Sequence, residues 1–412
     1  MHRRVIPVVA VVALALTGIS AGFNEDGARF DGARFDGEYG LWARWRGDSL
    51  AVSWITVPPS PGMLKVTTDG RTRVETTMPV DSEHTGVFAD PHANALVLTY
   101  GRADGTGAHT TTIRKRRDGK PRVSWPAVDS IVVVSDIHGE FDRLIRVLRN
   151  AKLIGADLAW TGGRRNLVVV GDVFDRGADA TRILWFLYQL EPRAERAGGR
   201  LHMVLGNHEI MVMTGDLRYV SAKESAIARL HGTTYDRLFD PRSSVLGQWL
   251  LEKPALLRIG DVLFAHGGVS ADYAGWTLTQ YEDTLSAYSN EDLFARWGDT
   301  TFVAPVDSAG LARRDAFFWG PRSVFWYRDW VQADTLAADL DAVLARFGAK
   351  LAIVGHTPQP TITERYGGKL IAVNTFPFIN EALLLVRQRD GWSRFRIRET
   401  GPPEPMEPPA AS

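Results

Sequence analysis

The chain contains 412 residues, 45% of them hydrophobic, so it is large enough to bury an extensive core and to form two domains. Lysine plus arginine and aspartate plus glutamate each number 48, and this balance excludes a whole-molecule attraction to nucleic acid or anionic membranes. The absence of cysteine excludes disulfides and leaves His, Asp, Glu and Asn as metal ligands.

The N-terminus has the order of a secretory signal. Arg3 and Arg4 precede an apolar run from Val5 to Leu16, and small residues follow as far as Gly22. The run is shorter than the roughly 20 apolar residues of a membrane span. Residues 1–22 therefore predict a cleaved signal peptide and a periplasmic or secreted protein without stable membrane association. The alternative is an uncleaved N-terminal anchor.

A short tandem repeat at Asp26 to Phe35 indicates a linker over residues 23–38. Residues 39–117 then show short alternating runs separated by turn residues, which predict a small all-β sandwich domain. The run around Trp54 is expected to end at the prolines of Pro58 to Gly62. His84, His92 and His109 are interpreted as ordinary loop residues on the surface of this domain.

A basic, proline-containing stretch from Arg114 to Pro126 is interpreted as an interdomain linker rather than a phosphate-binding patch. From residue 127 to 400 strand and helix patterns alternate, which predicts an α/β domain. Ile210 to Leu251 is helical in composition and is interpreted as an inserted cap. The proline-rich tail, residues 401–412, is predicted to be disordered.

Polar signatures follow the apolar runs of this α/β region. Ser135 to Glu140, Gly171 to Gly177 and Gly206 to Glu209 each come directly after a predicted strand, and two further runs end at His266 and His356. Loops at the carboxyl ends of neighbouring strands open into one crevice. Their shared donors are carboxylate, amide and imidazole groups, which suit two divalent ions of the Mn, Fe or Zn type. These donors are Asp136, His138, Asp172, Asn207, His266 and His356.

The five signatures together resemble those of the calcineurin-like metallophosphoesterases. Gly-Asp-x-x-Asp-Arg-Gly at Gly171 to Gly177 and Gly-Asn-His-Glu at Gly206 to Glu209 are similar to the phosphoprotein phosphatase branch. Phe174, together with Trp326 to Arg328, is similar to the Shewanella-like protein phosphatases. This resemblance implies a four-layer fold, in which two packed sheets are flanked by helices and the metals lie at the sheet edge.

The resemblance also implies a ligand set. Asp136, His138 and Asp172 would hold the first ion, with manganese the expected metal and iron or zinc the alternatives. Asp172 would bridge to a second ion, which the other three donors complete. The chain departs from the branch at Ser135, where glycine is usual, and at Asn374 to Pro377, which does not follow the family pattern. The remaining second-ion ligands are Asn207, His266 and His356.

The expected chemistry is attack on a phosphate monoester by a hydroxide that bridges the two metals. His208 is the candidate general acid, and Asp175 would orient its imidazole. Arg176 and Arg328 would clamp phosphate oxygens, unless each instead forms a structural ion pair. Trp319, Phe325, Trp326, Tyr327 and Trp330 would line the pocket or, more commonly for an aromatic run, belong to the core.

The predicted function is therefore an exported metal-dependent phosphomonoesterase, with phosphorylated proteins or peptides (Tyr or Ser/Thr) as substrates. One alternative is a nucleotide or small-molecule phosphoesterase of the dinucleoside polyphosphate hydrolase type. Another is a non-catalytic exported binding protein in which the N-terminal β domain carries the function.

Overall fold

The computed structural model describes residues 40–89, 94–115, 120–290 and 308–406, which form two units. The first comprises residues 40–89, 94–115 and 222–248, and the second comprises residues 120–221, 249–290 and 308–406. The predicted signal peptide (1–22) and linker (23–38) lie outside the described residues, as does His92. In the described ranges, no helix is both long and apolar enough to cross a membrane.

The predicted N-terminal β domain consists of one antiparallel sheet. Its strands are β1 (Trp42–Arg46), β2 (Ser49–Thr68), β3 (Arg71–Ala89), β4 (Ala95–Arg102) and β5 (His109–Arg114). Strand β2 pairs with β1, β3 and β4. Asp69 and Gly70 have positive φ angles of 47° and 73° and connect β2 to β3, as expected for a two-residue hairpin turn. Leu50 to Thr56 are all buried, so both faces of this part of β2 are covered.

Two expectations for this sheet were wrong. Strand β2 does not end at Pro58; its pairing with β3 is interrupted between Ile55 and Ser60 and then resumes, because prolines lack the N–H that the ladder needs. His84 is not a surface loop residue either. It lies within β3, is buried, and its Nε2 is 3.0 Å from the Thr56 hydroxyl. His109 is the first residue of β5.

Residues 222–248 are helical, as predicted, but belong to the N-terminal unit rather than forming a cap of the second one. They contain α4 (Ala222–Leu230), a 3-10 turn (Asp236–Phe239) and the start of α5 (Val245–Leu250). Trp45 donates its backbone N–H to the Ser243 carbonyl over 2.8 Å. The buried His231 ring lies between the Glu83 carboxylate and the Gly40 carbonyl, so this segment finds its polar partners on the β domain.

The second unit contains two six-stranded sheets. The strands of the first are β7 (Ser130–Val134), β8 (Asn166–Val170), β9 (Arg200–Val204), β15 (Glu381–Gln388), β16 (Gly391–Arg398) and β17 (Glu404–Pro405). The strands of the second are β6 (Ser124–Trp125), β10 (Leu256–Ile259), β11 (Val262–Ala265), β12 (Leu351–Val354), β13 (Thr363–Arg365) and β14 (Leu370–Ala372). The first sheet has the order β17-β16-β15-β7-β8-β9, and the second has the order β13-β14-β12-β11-β10-β6.

The two sheets share one hydrophobic core. Val133 and Val168 of the first sheet pack in the same cluster as Phe264 and Ile353 of the second. Strands β7 and β8 read as continuous apolar runs because both of their faces are buried, as is usual for parallel strands covered on each side. The helices are α1 (Phe141–Asn150), α2 (Ala180–Arg196), α3 (Asn207–Met213), α6 (Leu278–Asn290), α7 (Ser308–Trp319), α8 (Asp329–Gln332) and α9 (Ala337–Phe347). The α/β fold with two packed sheets is thus confirmed.

The tail is ordered further than predicted. Strand β17 pairs with β16, and Met406 is 8% exposed within the shared core. Proline is tolerated at the outermost strand of a sheet because no further neighbour needs its missing N–H. The disordered tail predicted for residues 401–412 was therefore wrong up to Met406, and residues 407–412 lie outside the described residues.

Candidate metal centre

The loops that follow the strands β7, β8, β9, β11 and β12 carry the predicted donors. In the first sheet β7, β8 and β9 are neighbours and parallel, so their carboxyl ends lie at one edge. In the second sheet β11 and β12 are also parallel neighbours. All six predicted donors are buried: Asp136, His138, Asp172, Asn207, His266 and His356.

Four of these donors surround one point. Nε2 of His266 lies 3.0 Å from Oδ1 of Asn207, 3.2 Å from Nδ1 of His356 and 3.2 Å from Oδ2 of Asp172. The opposite nitrogen of His266, Nδ1, donates to the Val170 carbonyl over 2.8 Å. This bond leaves Nε2 as the nitrogen that faces the other donors, which is the orientation that a metal-ligating histidine needs.

Asp172 also connects these donors to a second group. Its Oδ2 atom lies 3.8 Å from Nε2 of His138 and 3.9 Å from Nε2 of His208. His138 is oriented in the same way as His266, because its Nδ1 donates to the Phe174 carbonyl over 2.8 Å. The geometry agrees with the predicted bridging position of Asp172, and the second group, His138, Asp172 and His208, has ligand atoms close enough to hold a cation.

Asp136 belongs to neither of the groups of mutually close ligand atoms among the described residues. The donor set that the structure brings together contains His208 in its place. One carboxylate oxygen of Asp136 accepts the backbone N–H of His356 over 3.0 Å and a hydrogen bond from Ser135, and the other accepts Asn374 Nδ2 over 2.8 Å. Asp136 therefore links the β7 and β12 loops through hydrogen bonds of its own.

The backbone of the site is strained. Six of the eleven non-glycine residues with positive φ in the described ranges are predicted site residues. Such conformations cost on the order of 1–3 kcal/mol each and persist only where the surrounding structure enforces them. Their concentration here indicates loops shaped for ligation rather than for stability. The six are Asp136, His138, Asp172, Asp175, Arg176 and His356.

Glu209 is the main support that the sequence analysis did not identify. It is fully buried, and its carboxylate accepts the backbone N–H groups of Asp172, Val173 and Gly206, each over 2.8 Å. It thereby fixes the β8 loop to the start of α3. A Cβ atom at Gly206 would approach Asp172 Oδ1 to 2.2 Å, so only glycine fits here. The Gly-Asn-His-Glu motif contained this signal.

The two departures from the family pattern meet at Asp136. The Ser135 hydroxyl contacts both the Asp136 carboxylate and the Val170 carbonyl, and Asn374 holds the other Asp136 oxygen. Oδ1 of Asn374 is buried without a hydrogen-bond partner in the described structure. Both residues therefore orient a predicted ligand, and their unusual identity did not reveal this role in the sequence.

His208 and Asp175 form the predicted pair. Nδ1 of His208 donates to Oδ2 of Asp175 over 2.6 Å, and both side chains are buried. Burial alone would lower the pKa of His208, but the negative charges of Asp172 and Asp175 outweigh it and raise the pKa above its ordinary value. The imidazole is thus favoured in the protonated form that a general acid requires.

The two predicted arginines lie beside the histidines. Arg176 is exposed, and its Nη2 lies 3.5 Å from Nε2 of His208. Arg328 is half-buried and donates from Nη1 to the His356 carbonyl over 2.9 Å. Neither guanidinium forms an ion pair with a carboxylate within the described residues. The alternative that each serves a structural ion pair is therefore not supported.

Most of the aromatic run belongs to the core. Phe325, Tyr327 and Trp330 are buried, as the core interpretation predicts. Trp326 is partly exposed and its ring lies edge-on to His356 with centroids 5.8 Å apart. The ring centroid of Trp319 lies 6.3 Å from that of Trp326, and among the described residues Trp319 has no ring contact with the donors. Of this run, only Trp326 thus reaches the site.

The residues present fit two divalent cations. Nε2 of His266 and the oxygens of Asn207 and Asp172 converge, an arrangement that a positive ion between them would stabilise. Nε2 of His356 and Oδ1 of Asp175 are also buried without partners in the described structure. The donor set contains imidazole, carboxylate and amide groups without thiolate, which suits Mn, Fe or Zn but does not choose between them.

Several curated proteins resemble this chain. Shewanella-like protein phosphatase 2 of Arabidopsis thaliana is 26% identical over 56% of this chain and 66% of its own length. Shewanella-like protein phosphatase 1 of Plasmodium berghei is 29% identical over 56% of this chain and 62% of its own length. The match thus spans just under two thirds of these relatives. A bis(5'-nucleosyl)-tetraphosphatase of Vibrio cholerae is 29% identical over 34% of this chain and 45% of its own length.

Solved structures share the fold. The cold-active protein-tyrosine phosphatase of a psychrophilic Shewanella species has a TM-score of 0.62 and 28% identity, over 77% of this chain and 97% of that chain. A point mutant of a cold-active protein tyrosine phosphatase has a TM-score of 0.65 and 26% identity, over 91% of this chain and 100% of that chain. The model of the calcineurin-like phosphoesterases matches residues 130–360, the region that carries all six donors. This chain therefore belongs to the calcineurin-like phosphoesterase family.

Proposed function

We propose that this protein is an exported, metal-dependent phosphomonoesterase that acts on phosphorylated proteins or peptides. The observation that carries the proposal is the convergence of three donor atoms within 3.2 Å of His266 Nε2, next to a histidine held by a carboxylate. Metal ligands alone would suit a storage or structural site. A proton-bearing histidine beside an exposed arginine adds the groups that phosphoryl transfer needs.

The proposed ligands of one ion are Asp172, Asn207, His266 and His356. The other ion would be held by Asp136, His138 and Asp172. When bound, two divalent ions neutralise phosphoryl oxygens and provide a nucleophile from water near neutral pH. We propose manganese as the metal, with iron or zinc as alternatives of the same donor preference.

His208 supplies the proton to the leaving group in this proposal. Its Nδ1–H is engaged by Asp175, so the proton that can be transferred is at Nε2. Arg176 Nη2 lies 3.5 Å from that nitrogen. A phosphate held by the guanidinium would therefore present its ester oxygen next to the acid. Asp175 keeps the ring oriented throughout and stabilises its charged form.

Arg328 has a second positioning role. Its hydrogen bond to the His356 carbonyl fixes the guanidinium at the β12 loop, whereas Arg176 lies on the β8 loop. Burial is the main cause that lowers the pKa of Arg328 from its ordinary value, but a guanidinium stays protonated in proteins. The side chain is thus a fixed cation that we assign to phosphate binding.

The names of the relatives favour protein or peptide substrates that carry phosphotyrosine or phosphoserine/threonine. These relatives are named protein phosphatases, and the structurally similar Shewanella enzyme is named a protein-tyrosine phosphatase. The second candidate is a nucleotide phosphoesterase, which the similarity to a named tetraphosphatase over about a third of the chain favours. No partner other than a phosphorylated substrate is proposed.

Export is proposed from residues 1–22 alone. Their basic, apolar and small segments have the order of a signal peptide, which would deliver the protein to the periplasm or the medium. An uncleaved anchor is the competing outcome. Expression of the full chain followed by N-terminal sequencing of the fractionated protein tests this directly. A start near residue 23 in a soluble extracytoplasmic fraction is expected, and an intact N-terminus in the membrane fraction would contradict cleavage.

A substrate panel tests the activity. Protein loaded with Mn²⁺ should hydrolyse p-nitrophenyl phosphate and phosphopeptides faster, in kcat/KM, than nucleotides and dinucleoside polyphosphates. Dominant nucleotide turnover would favour the second candidate. Absence of turnover of every phosphoester, with metal bound, would contradict phosphoesterase function and favour a binding role.

A further inference from the structure

Two exposed aromatic rings lie near the proposed phosphate-binding Arg176, Tyr219 in direct contact with it and Phe376 through Phe378. Tyr219 is 47% exposed and Phe376 is 61% exposed, and they are two of four large hydrophobic side chains that the described structure leaves at the surface. The other two, Val57 and Val80, lie in the N-terminal unit. Exposed rings forgo burial that would stabilise the fold, so their position beside a reactive site calls for a role.

Tyr219 lies next to the proton donor. Its ring centroid is 5.7 Å from that of His208, and Arg176 Cζ stands 5.6 Å from the same ring. The backbone connects the same groups, because Arg176 N–H donates to the Tyr219 carbonyl over 2.8 Å. The position of this ring is thus coupled to the arginine through both backbone and side chain.

Phe376 approaches from another segment, the loop between β14 and β15. Its ring packs edge-on against Phe378 with centroids 5.6 Å apart. Phe378 in turn lies 4.6 Å from the His138 ring and 5.4 Å from Arg176 Cζ. Arg143 holds this loop by donating to the Phe378 carbonyl over 3.2 Å. Phe376 is therefore the outer ring of an aromatic pair on the His138 side of the arginine.

The proposed reaction fixes the orientation of the phosphate ester, and with it the position of its organic group. The phosphoryl oxygens must face the cations and Arg176, and the ester oxygen must face His208. The organic group attached to that oxygen then begins beside Tyr219 and extends from the buried donors toward solvent. The rings next to Arg176 are Tyr219 and Phe378, and the exposed Phe376 packs against Phe378.

We propose that Tyr219 and Phe376 form a leaving-group subsite that contacts the organic group of the phosphate ester. The inference rests on the proposed phosphomonoesterase function. Aromatic rings contact one another through offset or edge-on packing, which a flat leaving group can satisfy and a short alkyl group cannot. The subsite therefore raises the preference for aryl over alkyl esters above the preference set by their intrinsic reactivity.

The test compares two peptides of one sequence that carry either phosphotyrosine or phosphoserine. Tyr219→Ala and Phe376→Ala should each lower the ratio of kcat/KM for the two peptides by about two- to tenfold, the usual value of one aromatic contact. The change should appear mainly in KM for the phosphotyrosine peptide. Since the same peptides are used for every variant, their intrinsic reactivities cancel from the comparison.

Two variants serve as controls. Tyr219→Phe keeps the ring and removes the hydroxyl, so it should retain the wild-type ratio. Val80→Ala removes a side chain that is 64% exposed in the N-terminal unit, and it should also leave the ratio unchanged. Equal losses on both peptides in the alanine variants, or no loss on either, would overturn the subsite.

A binding measurement separates this inference from the proposed function. Calorimetry with the Mn²⁺-loaded protein should show tighter binding of phenylphosphonate than of methylphosphonate, and Phe376→Ala should reduce the difference by about two- to tenfold. Failure to hydrolyse either peptide would refute the proposed phosphomonoesterase function. The binding of the two phosphonates would still test the subsite, because it requires no hydrolysis. Equal affinity for both phosphonates in the wild type would overturn it.

Discussion

Buried histidines occur in both units, but their ring nitrogens face different partners. In the N-terminal unit, His231 lies between the Glu83 carboxylate at 2.9 Å and the Gly40 carbonyl at 2.7 Å, so each nitrogen faces one protein acceptor. In the second unit, Nε2 of His266 faces an amide oxygen, a carboxylate oxygen and another imidazole. Burial is therefore a poor marker of function, whereas a ring nitrogen that faces several other metal-donor atoms is a good one.

The two arrangements have different consequences for stability and activity. A satisfied histidine stabilises the fold, and its removal leaves buried acceptors without donors. Donor atoms that converge on one another are stabilised when a cation binds between them. Substitution of a histidine such as His231 should change the free energy of unfolding and leave the metal content intact. Substitution of a converging donor should lower the metal content and change the free energy of unfolding of the metal-free protein little.

The largest effect is expected for Asp172→Asn. Replacing the shared carboxylate removes a charge that both donor groups use, so metal affinity should fall more than about 100-fold. Loss of a residue that only hydrogen-bonds to a ligand typically lowers metal affinity by about 10- to 100-fold. Metal content by elemental analysis and phosphatase rate should decrease together. Asp261→Asn is the matched control, because Asp261 pairs with Arg387 away from the donors. Full metal content in Asp172→Asn would contradict the bridging position.

His208→Asn should separate proton transfer from metal binding. Loss of a general acid lowers kcat by about 10² to 10⁴, while the ligands of both proposed ions remain. The deficit should be smaller for p-nitrophenyl phosphate, whose leaving group needs little protonation. His202→Asn is a control, since that buried histidine contacts Asn166 outside the site. Loss of metal from His208→Asn would instead make His208 a ligand, as its 3.9 Å distance to Asp172 permits.

Glu282 is a buried acid outside the proposed metal site, and we expect it to affect the pH dependence of stability but not the metal content. Burial is the main cause that raises its pKa to about 8, and one oxygen accepts the Ala255 N–H while the other has no partner in the described structure. The folded protein then binds more protons than the unfolded chain between pH 4.5 and about 8. The free energy of unfolding should therefore fall as pH rises through this window, by at most about 1.4 kcal/mol per pH unit.

Denaturant titrations of wild type and Glu282→Gln across this pH range measure the effect. The variant keeps the acceptor oxygen but cannot ionise, so its stability should depend less on pH while its metal content equals that of the wild type. An identical pH dependence in both proteins would mean that Glu282 is ionised in the folded state.

The smallest effect is expected for His231→Ala. The substitution removes the ring that lies between the Glu83 carboxylate and the Gly40 carbonyl, and it should lower the free energy of unfolding by about 1–3 kcal/mol. Metal content and kcat/KM should not change. His231→Gln, which can replace one donor, should recover part of the loss. A decrease in metal content would contradict the separation between the two kinds of buried histidine.

The donors could be predicted from sequence because each follows an apolar run with glycine nearby, as at Asp172 after β8 and His266 after β11. Long-range partners left no such signal. Asn374 contacts Asp136 across 238 positions, and its segment departs from the family pattern, so nothing in the sequence indicated that it orients a ligand. Hydrogen bonds between distant loops depend on the packing of the sheets, which strand patterns alone do not specify.

The N-terminal unit shows the same limit. Alternation and the turn residues between the runs predicted its strands, because both signals are local. The burial of His84 and the assignment of residues 222–248 to this unit depend on tertiary partners such as Thr56 and Glu83. The final residues up to Met406 were likewise missed, since pairing with β16 overrode their proline-rich composition.

Elemental analysis of purified wild-type protein beside Asp172→Asn tests the central claim most directly. We expect two divalent ions per wild-type chain, fewer than one in the variant, and phosphoester hydrolysis only where the ions are present. Hydrolysis of phosphoesters at the full rate by wild-type protein from which a chelator has removed the metal would contradict this expectation.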